Sequence, residues 1–328
     1  MTGPGDADAV FVEAPARLHF GVLDLRGDLG RRFGGLGAAI PTPSLLVEVG
    51  RAAEFAAAGP DARRAASFAR RVTARWGLQG AARIRVHRAI PAHAGLGSGT
   101  QLGLAVARAL AELHGIDAAA PELARAAGRG RRSAIGTHAF ASGGFIVEGG
   151  RPPESDAIAP LLARYPLPAS WRYVLAIPEG PPGLSGDAEA AAFRRLPPPA
   201  AREVERVAHL ALMGLLPALV DGDLAAFGAA LSEIQRITGG WFAASQGGVF
   251  APGPTGMLIE RFAGAGAPGV GQSSWGPTAY AIVRGDAEAE RLARCAREWL
   301  GTTGQVSTGA FAAEGARVWR AVTKALRD

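Results

Sequence analysis

The amino-acid sequence predicts an α+β fold with two halves. Apolar residues recur at helical spacing in segments such as 61–76 and 101–114, whereas residues 83–87 alternate strictly between polar and apolar, as in a half-buried strand. Predicted strands and helices alternate without the regular rhythm of a doubly wound sheet. We therefore expect antiparallel sheets that are covered by helices on one side.

The predicted elements follow in chain order. In the first half, strands are expected at residues 9–12, 45–49, 83–87 and 144–148, helices at 61–76, 101–114 and 121–128, and loops at 27–37 and 91–100. In the second half, strands are expected at 173–177 and 278–283, and helices near 200–220, 223–237, 255–263 and 287–300. Residues 151–168 are rich in proline and weakly patterned, so they are expected to connect one domain over 1–165 with another over 166–328.

Composition narrows the class of protein. Of the 328 residues 48% are apolar, yet no uncharged apolar stretch reaches the about 18 residues of a membrane span. Residues 1–10 lack a basic and apolar signal pattern and are expected to form a short frayed leader. Cys295 is the only cysteine, which excludes an internal disulfide and a thiolate metal cage. A cytoplasmic protein without a membrane partner is the simplest expectation.

The charge of the chain is strongly basic. The formal net charge is +6 and the pI is near 10.5, which indicates either anionic partners or basic charge diluted over a large surface. Lys324 is the only lysine, so almost every cation is an arginine. A P-loop lysine, a Schiff-base lysine and a lysine general base are therefore unavailable in the body of the chain.

The strongest chemical signal is a loop with three glycines in five residues, which enters the predicted helix 101–114. Glycines let the backbone approach a ligand closely, and the start of a helix offers free N–H groups and a positive dipole end. A tight turn in which a hydroxyl caps the helix is the alternative. The loop has no Walker lysine and does not fit the nucleophile elbow of hydrolases. Its predicted diphosphate-binding residues are Gly95, Gly97, Ser98, Gly99 and Thr100.

A second loop carries three arginines between glycines, Arg129, Arg131 and Arg132. Guanidinium groups bind phosphate or carboxylate through two parallel hydrogen bonds, so this loop is predicted to clamp such a group. The alternative is a solvated loop.

The segment around Arg17 and His19 is the third candidate, because alternate residues of a strand share one face. His19 is either a core histidine or a site residue. A cluster of charged residues follows closely, namely Asp24, Asp28, Arg31 and Arg32. The two aspartates would bind Mg²⁺ or ribose hydroxyls, or would only pair with arginines.

A glycine run before the predicted strand 278–283 is the fourth candidate. It contains Gln272, Ser273, Ser274 and Trp275, which suit the lining of a pocket better than a plain turn. Gln246, in a Ser-Gln-Gly-Gly stretch, is a weaker member of the same class.

Together these stretches resemble the GHMP superfamily of small-molecule kinases, whose three motifs occur in this order. Pro15-Ala16-Arg17 matches the first motif, residues 91–100 the second and residues 269–276 the third. Within the superfamily the segments 17–21, 27–35, 128–133, 143–150 and 271–278 are most similar to the β-ribofuranosylaminobenzene 5′-phosphate synthase family of the methanopterin pathway. The resemblance spans about residues 10–310.

One departure from the kinases separates the two activities. Superfamily kinases resemble Ser-Gly-Val-Asp, in which the aspartate is the catalytic acid/base, whereas the matching string here ends in Gly136. The magnesium-binding glutamate of the kinases falls on Arg125. Because a general base is typically worth about 10²–10⁴-fold in rate, a kinase without it would be crippled. An ATP-dependent kinase is therefore the weaker alternative. A nucleic-acid binder is disfavoured because the sequence has few aromatic residues that could stack on bases.

The resemblance implies an N-terminal half like ribosomal protein S5 domain 2 and a ferredoxin-like C-terminal half, with the site between them. It implies condensation of 5-phosphoribosyl diphosphate with 4-aminobenzoate, or 4-hydroxybenzoate, with loss of CO₂ and diphosphate. The implied catalytic residues are Arg17, His19 and Asp28, and the aromatic acid and ribose would contact Asp24, Arg31, Arg32, Gln246 and residues 272–275. Mg²⁺ would accompany the diphosphate, with Asp24, Asp28 or Ser98 as its ligands, and a homodimer is expected.

Overall fold

Two long antiparallel strands form the centre of the N-terminal half. In the computed structural model, which describes residues 6–180, 183 and 186–324, β1 (Asp6–Asp24) pairs with β2 (Phe33–Ala52) along nearly its whole length. The same seven-stranded sheet contains β3 (Ala56–Ala58), β4 (Ala81–Arg88), β5 (Phe145–Glu148), β6 (Leu161–Tyr165) and β11 (Arg317–Lys324). Packed against it are α1 (Ala62–Trp76), α2 (Ser98–His114) and α4 (Ile135–Ser142), and α3 (Ala120–Ala126) packs on these helices.

A smaller antiparallel sheet forms the C-terminal half. Its strand order is β10 (Gly304–Ala310), β7 (Trp171–Pro178), β9 (Ala279–Arg284) and β8 (Gly269–Gln272). The helices of this half are α5 (Gly186–Arg195), α6 (Ala201–His209), α7 (Leu216–Asp221), α8 (Leu224–Gln246), α9 (Pro254–Gly264) and α10 (Asp286–Leu300), with a π-helical segment at Leu210–Leu215. The predicted α+β class is confirmed.

Helix α8 joins the two halves. It packs against β8 of the small sheet and β1 of the large one. Its Ile234 and Thr238 side chains lie against Gly21, where an added Cβ would stand 3.3 Å from Ile234 Cγ2. Packed protein interiors resist deformation. Because α8 is packed against both sheets, it fixes how the two halves face each other.

Several predicted boundaries change in the structure. Residues 33–37, which were expected in a glycine-rich loop, belong to β2, and the expected connection 151–168 contains β6. Residues 34–40 are buried in a continuous run because β2 is covered on both faces, so the alternation that marks a half-exposed strand is missing. Of the expected leader, residues 6–10 form the start of β1, and residues 1–5 lie outside the described residues.

The chain returns to its first sheet at its end. Strand β11 pairs antiparallel with β1, so residues 317–324 lie with the N-terminal half, although the predicted second domain ran from 166 to 328. Their partners in β1 are about 300 residues away in sequence, from Asp6 opposite Lys324 to Glu13 opposite Arg317. Such a long-range pairing has no local sequence pattern.

Candidate active site

The two halves enclose a cleft of about 840 Å³. Most of the predicted site residues line it, drawn from β1, the two glycine-rich loops, the arginine loop and the end of α8. These are Arg17, His19, Gly95, Gly97, Ser98, Gly99, Thr100, Arg129, Arg131, Arg132, Gln246, Gln272, Ser274 and Trp275. The cleft lies at the junction of the halves, as the resemblance implied.

Two glycine loops from different halves form the floor of the cleft by packing backbone against backbone. A Cβ on Gly95 would overlap the carbonyl oxygen of Ser273, and a Cβ on Gly276 would overlap the Ala94–Gly95 peptide. Ser273 Oγ donates a hydrogen bond to the Gly95 carbonyl at 2.8 Å. Ser273 is fully buried, so it joins the loops and does not line the cleft, in contrast to its predicted contact with the aromatic acid.

Helix α2 begins at the cleft with no side chain capping it. The residue before the helix is Gly97, whose left-handed φ of 82° suits glycine, and no side-chain hydrogen bond caps the first turn. Gly97, Ser98 and Gly99 line the cleft, so the first N–H groups of the helix face it. This geometry suits an anion and supports the predicted diphosphate loop.

Arg17 and His19 border the loop from strand β1. The Arg17 backbone N–H donates to the Leu96 carbonyl at 3.2 Å, and its guanidinium donates to the Gly95 carbonyl. The His19 backbone N–H donates to Ser273 Oγ at 3.0 Å. Burial, and secondarily the positive charge of Arg17, lower the pKa of His19 to about 3. The His19 imidazole is therefore neutral at neutral pH.

The arginine loop opens onto the cleft near the start of α2. Arg129 Nη2 lies 3.5 Å from Thr100 Oγ1, and the Arg132 guanidinium lies 5.6 Å above the ring of Phe193. Sequence reasoning missed two further arginines of the cleft, Arg64 and Arg71 of α1. Their spacing of seven residues on one helix face was the available signal, but the same spacing is typical of a solvated face.

One side of the cleft is aromatic. The Trp275 ring lies 4.7 Å from that of Phe242 and 5.6 Å from that of Phe193, and Phe33 lies 5.7 Å from Phe193. Three of these rings were not predicted, because Phe33, Phe193 and Phe242 come from three separate elements. The rings meet edge to face, at interplanar angles of 60–86°, and form an apolar wall that suits an aromatic ring.

The amide side chains beside this wall are largely occupied. Gln272 Oε1 accepts from the Ala251 backbone N–H at 2.7 Å, and Gln272 Nε2 donates to Gln246 Oε1 at 3.3 Å. Gln246 Nε2 donates to the carbonyls of Gly248 and Val249. These contacts fix the loop that carries Ser274 and Trp275.

Four predicted site residues do not line the described cleft: Asp24 ends β1, and the other three lie in the turn of residues 25–32 that follows. Asp24 accepts the backbone N–H groups of Arg26 and Gly27, and Asp28 forms an ion pair of 2.7 Å with Arg26. Arg31 donates to the carbonyls of Gly149 and Gly150, and Arg32 donates to that of Leu25. The structure thus corrects the predicted site contacts of Asp24, Asp28, Arg31 and Arg32. These side chains hold the turn, and the alternative of pairing with arginines applies to Asp28.

The position of the kinase aspartate has little room for a carboxylate. A Cβ on Gly136 would lie 3.0 Å from Thr100 Cγ2, and the Gly136 carbonyl accepts from Gln101 Nε2 at 2.9 Å. Arg125, which matches the magnesium-binding glutamate of the kinases, is exposed on α3 and does not line the cleft. The difference at Gly136 is therefore built into the packing.

Carboxylates are absent from the described lining of the cleft, which contains six arginines and two histidines. Within the described parts of the chain, no three histidine, cysteine, aspartate or glutamate side chains cluster as metal ligands. No helix in residues 6–180 or 186–324 combines the length and apolarity needed to cross a bilayer.

Known proteins match both halves of the chain. The model of the GHMP kinases N terminal domain matches residues 62–144, and that of the GHMP kinases C terminal domain matches residues 215–301. Solved structures with the same fold include homoserine kinase from Cytophaga hutchinsonii, with a TM-score of 0.71, 18% identity and coverage of 97% of this chain and 99% of that one. Mevalonate diphosphate decarboxylase from Staphylococcus aureus has a TM-score of 0.65 and 14% identity, over 95% of this chain and 98% of the other.

Two curated relatives are more similar in sequence. The β-ribofuranosylphenol 5′-phosphate synthase of Methanothermobacter thermautotrophicus is 36% identical over 92% of this chain and 98% of its own. The synthase of the same name from Archaeoglobus fulgidus is 35% identical over 89% of this chain and 93% of its own. The chain therefore belongs to the β-ribofuranosylphenol (or -aminobenzene) 5′-phosphate synthase family of the GHMP superfamily.

Proposed function

We propose that this protein condenses 5-phosphoribosyl diphosphate with a para-substituted benzoate, forming a C-riboside 5′-phosphate and releasing CO₂ and diphosphate. One observation carries the proposal: the cleft combines an uncapped helix start and six arginines with an aromatic wall. A cationic region for phosphoryl groups and an apolar, aromatic region for a ring match the two substrates. The two curated relatives are named as synthases of β-ribofuranosylphenol 5′-phosphate, a product of this kind.

The proposed reaction breaks the bond between C1 of the ribose and the diphosphate oxygen. The ring carbon that bears the carboxylate forms the new bond to C1, with its electron pair taken from the ring. The bond from that carbon to the carboxylate then breaks, its electrons restore aromaticity, and CO₂ leaves. No net proton transfer occurs, so the chemistry has no need of a carboxylate at position 136, unlike transfer of a phosphoryl group to an alcohol.

In this scheme the protein binds and orients the two substrates and excludes water from them. The start of α2 and the neighbouring arginines stabilise the negative charge that grows on the leaving diphosphate. Arg17 and the neutral His19 border the loop where C1 would lie. The rings of Phe193, Phe242 and Trp275 would hold the aromatic acid against the sugar, which brings the two carbons together.

The described cleft residues do not fit a protein-held Mg²⁺, because hard cations prefer several carboxylate or carbonyl oxygens and this lining provides no carboxylate. Asp24 and Asp28, the predicted ligands, bind the turn at residues 25–32. We propose that Mg²⁺ enters as the counter-ion of the diphosphate substrate. Of the three predicted ligands, Ser98 is the one that lines the described cleft. The expected homodimer stays a prediction.

A labelled-substrate assay tests the function. The protein is incubated with Mg²⁺, 5-phosphoribosyl diphosphate and either 4-aminobenzoate or 4-hydroxybenzoate labelled at the carboxyl carbon. Labelled CO₂ and diphosphate should appear in equal amounts without ATP, and the product of 4-aminobenzoate should keep its free arylamine. Attack through nitrogen would leave the carboxylate in place. ATP hydrolysis against a small alcohol, with no CO₂ release from either acid, would refute the synthase in favour of a kinase.

A further inference from the structure

Helix α1 directs two arginines into the cleft that no motif of the sequence singles out. Arg64 and Arg71 are seven residues apart, so they lie two turns apart on one face of the helix, and both line the cleft. Arg64 Nη2 lies 2.6 Å from the position that a Cβ on Gly99 would take, and the Arg71 guanidinium lies against Gly128 in the same way. Glycine at 99 and 128 leaves the space that these two groups occupy.

Arg129 brings a third guanidinium to the same place from the arginine loop. Its Nη2 lies 3.4 Å from the Cβ position of Gly99 and 3.5 Å from Thr100 Oγ1. Arg17 borders a different point of the loop, because its Cγ lies 3.2 Å from the Cβ position of Gly97. The first turn of α2 therefore has two cationic borders, one at Gly97 and one at Gly99.

Among the described residues, the positive charge that α1 brings to the Gly99 border is only partly neutralised. Asp61 Oδ2 lies 3.0 Å from Arg64 Nη1, which uses one of the five N–H donors of that guanidinium. Arg71 forms no ion pair within the part of the chain that the structure describes. Among the described residues, Arg64 and Arg71 bring two guanidiniums against one carboxylate, and beside the positive end of a helix they provide charge and planar donors that suit a phosphoryl dianion.

We propose that Arg64, Arg71 and Arg129 form a separate phosphoryl subsite, which binds one end of the sugar phosphate substrate. The proposed function supplies the identity of that substrate, and the inference rests on it to this extent. A ribose that carries phosphoryl groups at both C1 and C5 needs two anion-binding regions, and the two borders of α2 provide them. The ligand of the Gly99 border is either the leaving diphosphate or the 5-phosphate.

Calorimetry on the full chain with two probes distinguishes these sources. Sodium diphosphate stands for the leaving group and ribose 5-phosphate for the other end, both at one fixed ionic strength. We expect Arg64→Gln and Arg71→Gln to weaken binding of one probe by about tenfold or more, since hydrogen bonds to charged groups are the strong ones. Weaker binding of diphosphate would assign the leaving group to the subsite. Weaker binding of ribose 5-phosphate would assign the 5-phosphate to it.

Two matched controls come from the same helix. Arg63→Gln and Arg75→Gln remove the same charge from α1 at exposed positions outside the cleft, and they should bind both probes within about twofold of wild type, as expected for screened surface charges. Asp61→Asn frees Arg64 while asparagine tolerates the left-handed φ of 58° at this position, so it should not weaken binding. Weakening by Asp61→Asn equal to that by Arg64→Gln would mean that the residues only hold the helix, and would overturn the subsite.

The subsite and the proposed function fail separately. If the wild type releases CO₂ but Arg64→Gln and Arg71→Gln bind both probes like Arg63→Gln, the subsite is wrong and the synthase stands. If both variants bind one probe more weakly than the wild type does, but the wild type releases no CO₂, the subsite stands and the synthase is wrong. A wild type that binds neither probe overturns the subsite.

Discussion

Two loops of this protein have almost the same composition but opposite roles. The turn of residues 25–32 and the loop of residues 128–133 both alternate glycines with arginines. In the turn, Arg31 donates to the carbonyls of Gly149 and Gly150, and Arg26 pairs with Asp28. In the loop, Arg129, Arg131 and Arg132 line the cleft. The difference is made by what lies opposite each loop.

Backbone carbonyls and a carboxylate satisfy the guanidinium groups of the turn, so their charge serves the fold. The arginine loop lies opposite the start of α2, where the free groups are N–H donors and cannot accept from a guanidinium. An anion in the cleft would contact both the helix start and the arginine loop. The same residue types therefore stabilise structure in one loop and line the cleft in the other.

The largest expected effect is the loss of kcat/KM when an arginine of the arginine loop is removed. Arg129→Ala should lower kcat/KM for the synthase reaction by about 10²–10³-fold, the range for removing a preorganised donor to developing charge. The folded state should change little in circular dichroism. Steady-state kinetics with 5-phosphoribosyl diphosphate measure the effect, and Arg31→Ala is the matched variant in the turn. Equal losses of kcat/KM in the two variants would remove the distinction between the loops.

The turn should show the opposite behaviour. Arg31→Ala removes two hydrogen bonds to partly exposed carbonyls, which water can partly replace, so the free energy of unfolding should fall by about 0.5–1.5 kcal/mol. The kcat/KM of the folded variant should stay at the wild-type value. Urea unfolding followed by fluorescence measures the stability, with Arg31→Lys as the conservative comparison. A kcat/KM loss without a stability loss would place Arg31 in the site after all.

A smaller effect is expected where the arginine loop meets the aromatic wall. The Arg132 guanidinium stacks on Phe193, an interaction worth about 0.5–1 kcal/mol at a partly exposed site. Arg132→Lys keeps the charge but loses the planar fork, so kcat/KM should fall by about two- to fivefold, with the larger change in KM for the aromatic acid. Varying each substrate separately measures this. Wild-type kinetics for the lysine variant would show that charge alone suffices at this position.

The sequence predicts the glycine loop at residues 95–100 because its signal is local: glycines, hydroxyls and a following helix are adjacent in the chain. The roles of the two arginine-containing loops depend on partners far away. Arg31 meets Gly149 across 118 residues, and no local pattern distinguishes that contact from a site contact. Arg64 and Arg71 resemble a solvated helix face until α1 is packed beside α2. For the same reason the returning strand β11 was not predicted.

The smallest expected effect concerns His19, which reports the charge of the cleft. Its pKa of about 3 is set first by burial and then by Arg17, so the imidazole should not titrate between pH 5 and 8. We expect no inflection of kcat/KM from His19 in that range, and a nuclear magnetic resonance titration should show its ring neutral. Arg17→Gln should raise the pKa of His19, whereas Arg26→Gln in the turn should leave it unchanged.

Stability should depend on His19 in acid. Its folded pKa lies below the ordinary value near 6.5, so the unfolded chain binds the additional proton. This contribution is therefore fully present above about pH 6.5 and is lost as the pH falls toward 3. Replacement by glutamine should flatten the decline of the free energy of unfolding in that window. An inflection of kcat/KM near pH 6.5 that disappears in His19→Gln would contradict a neutral His19.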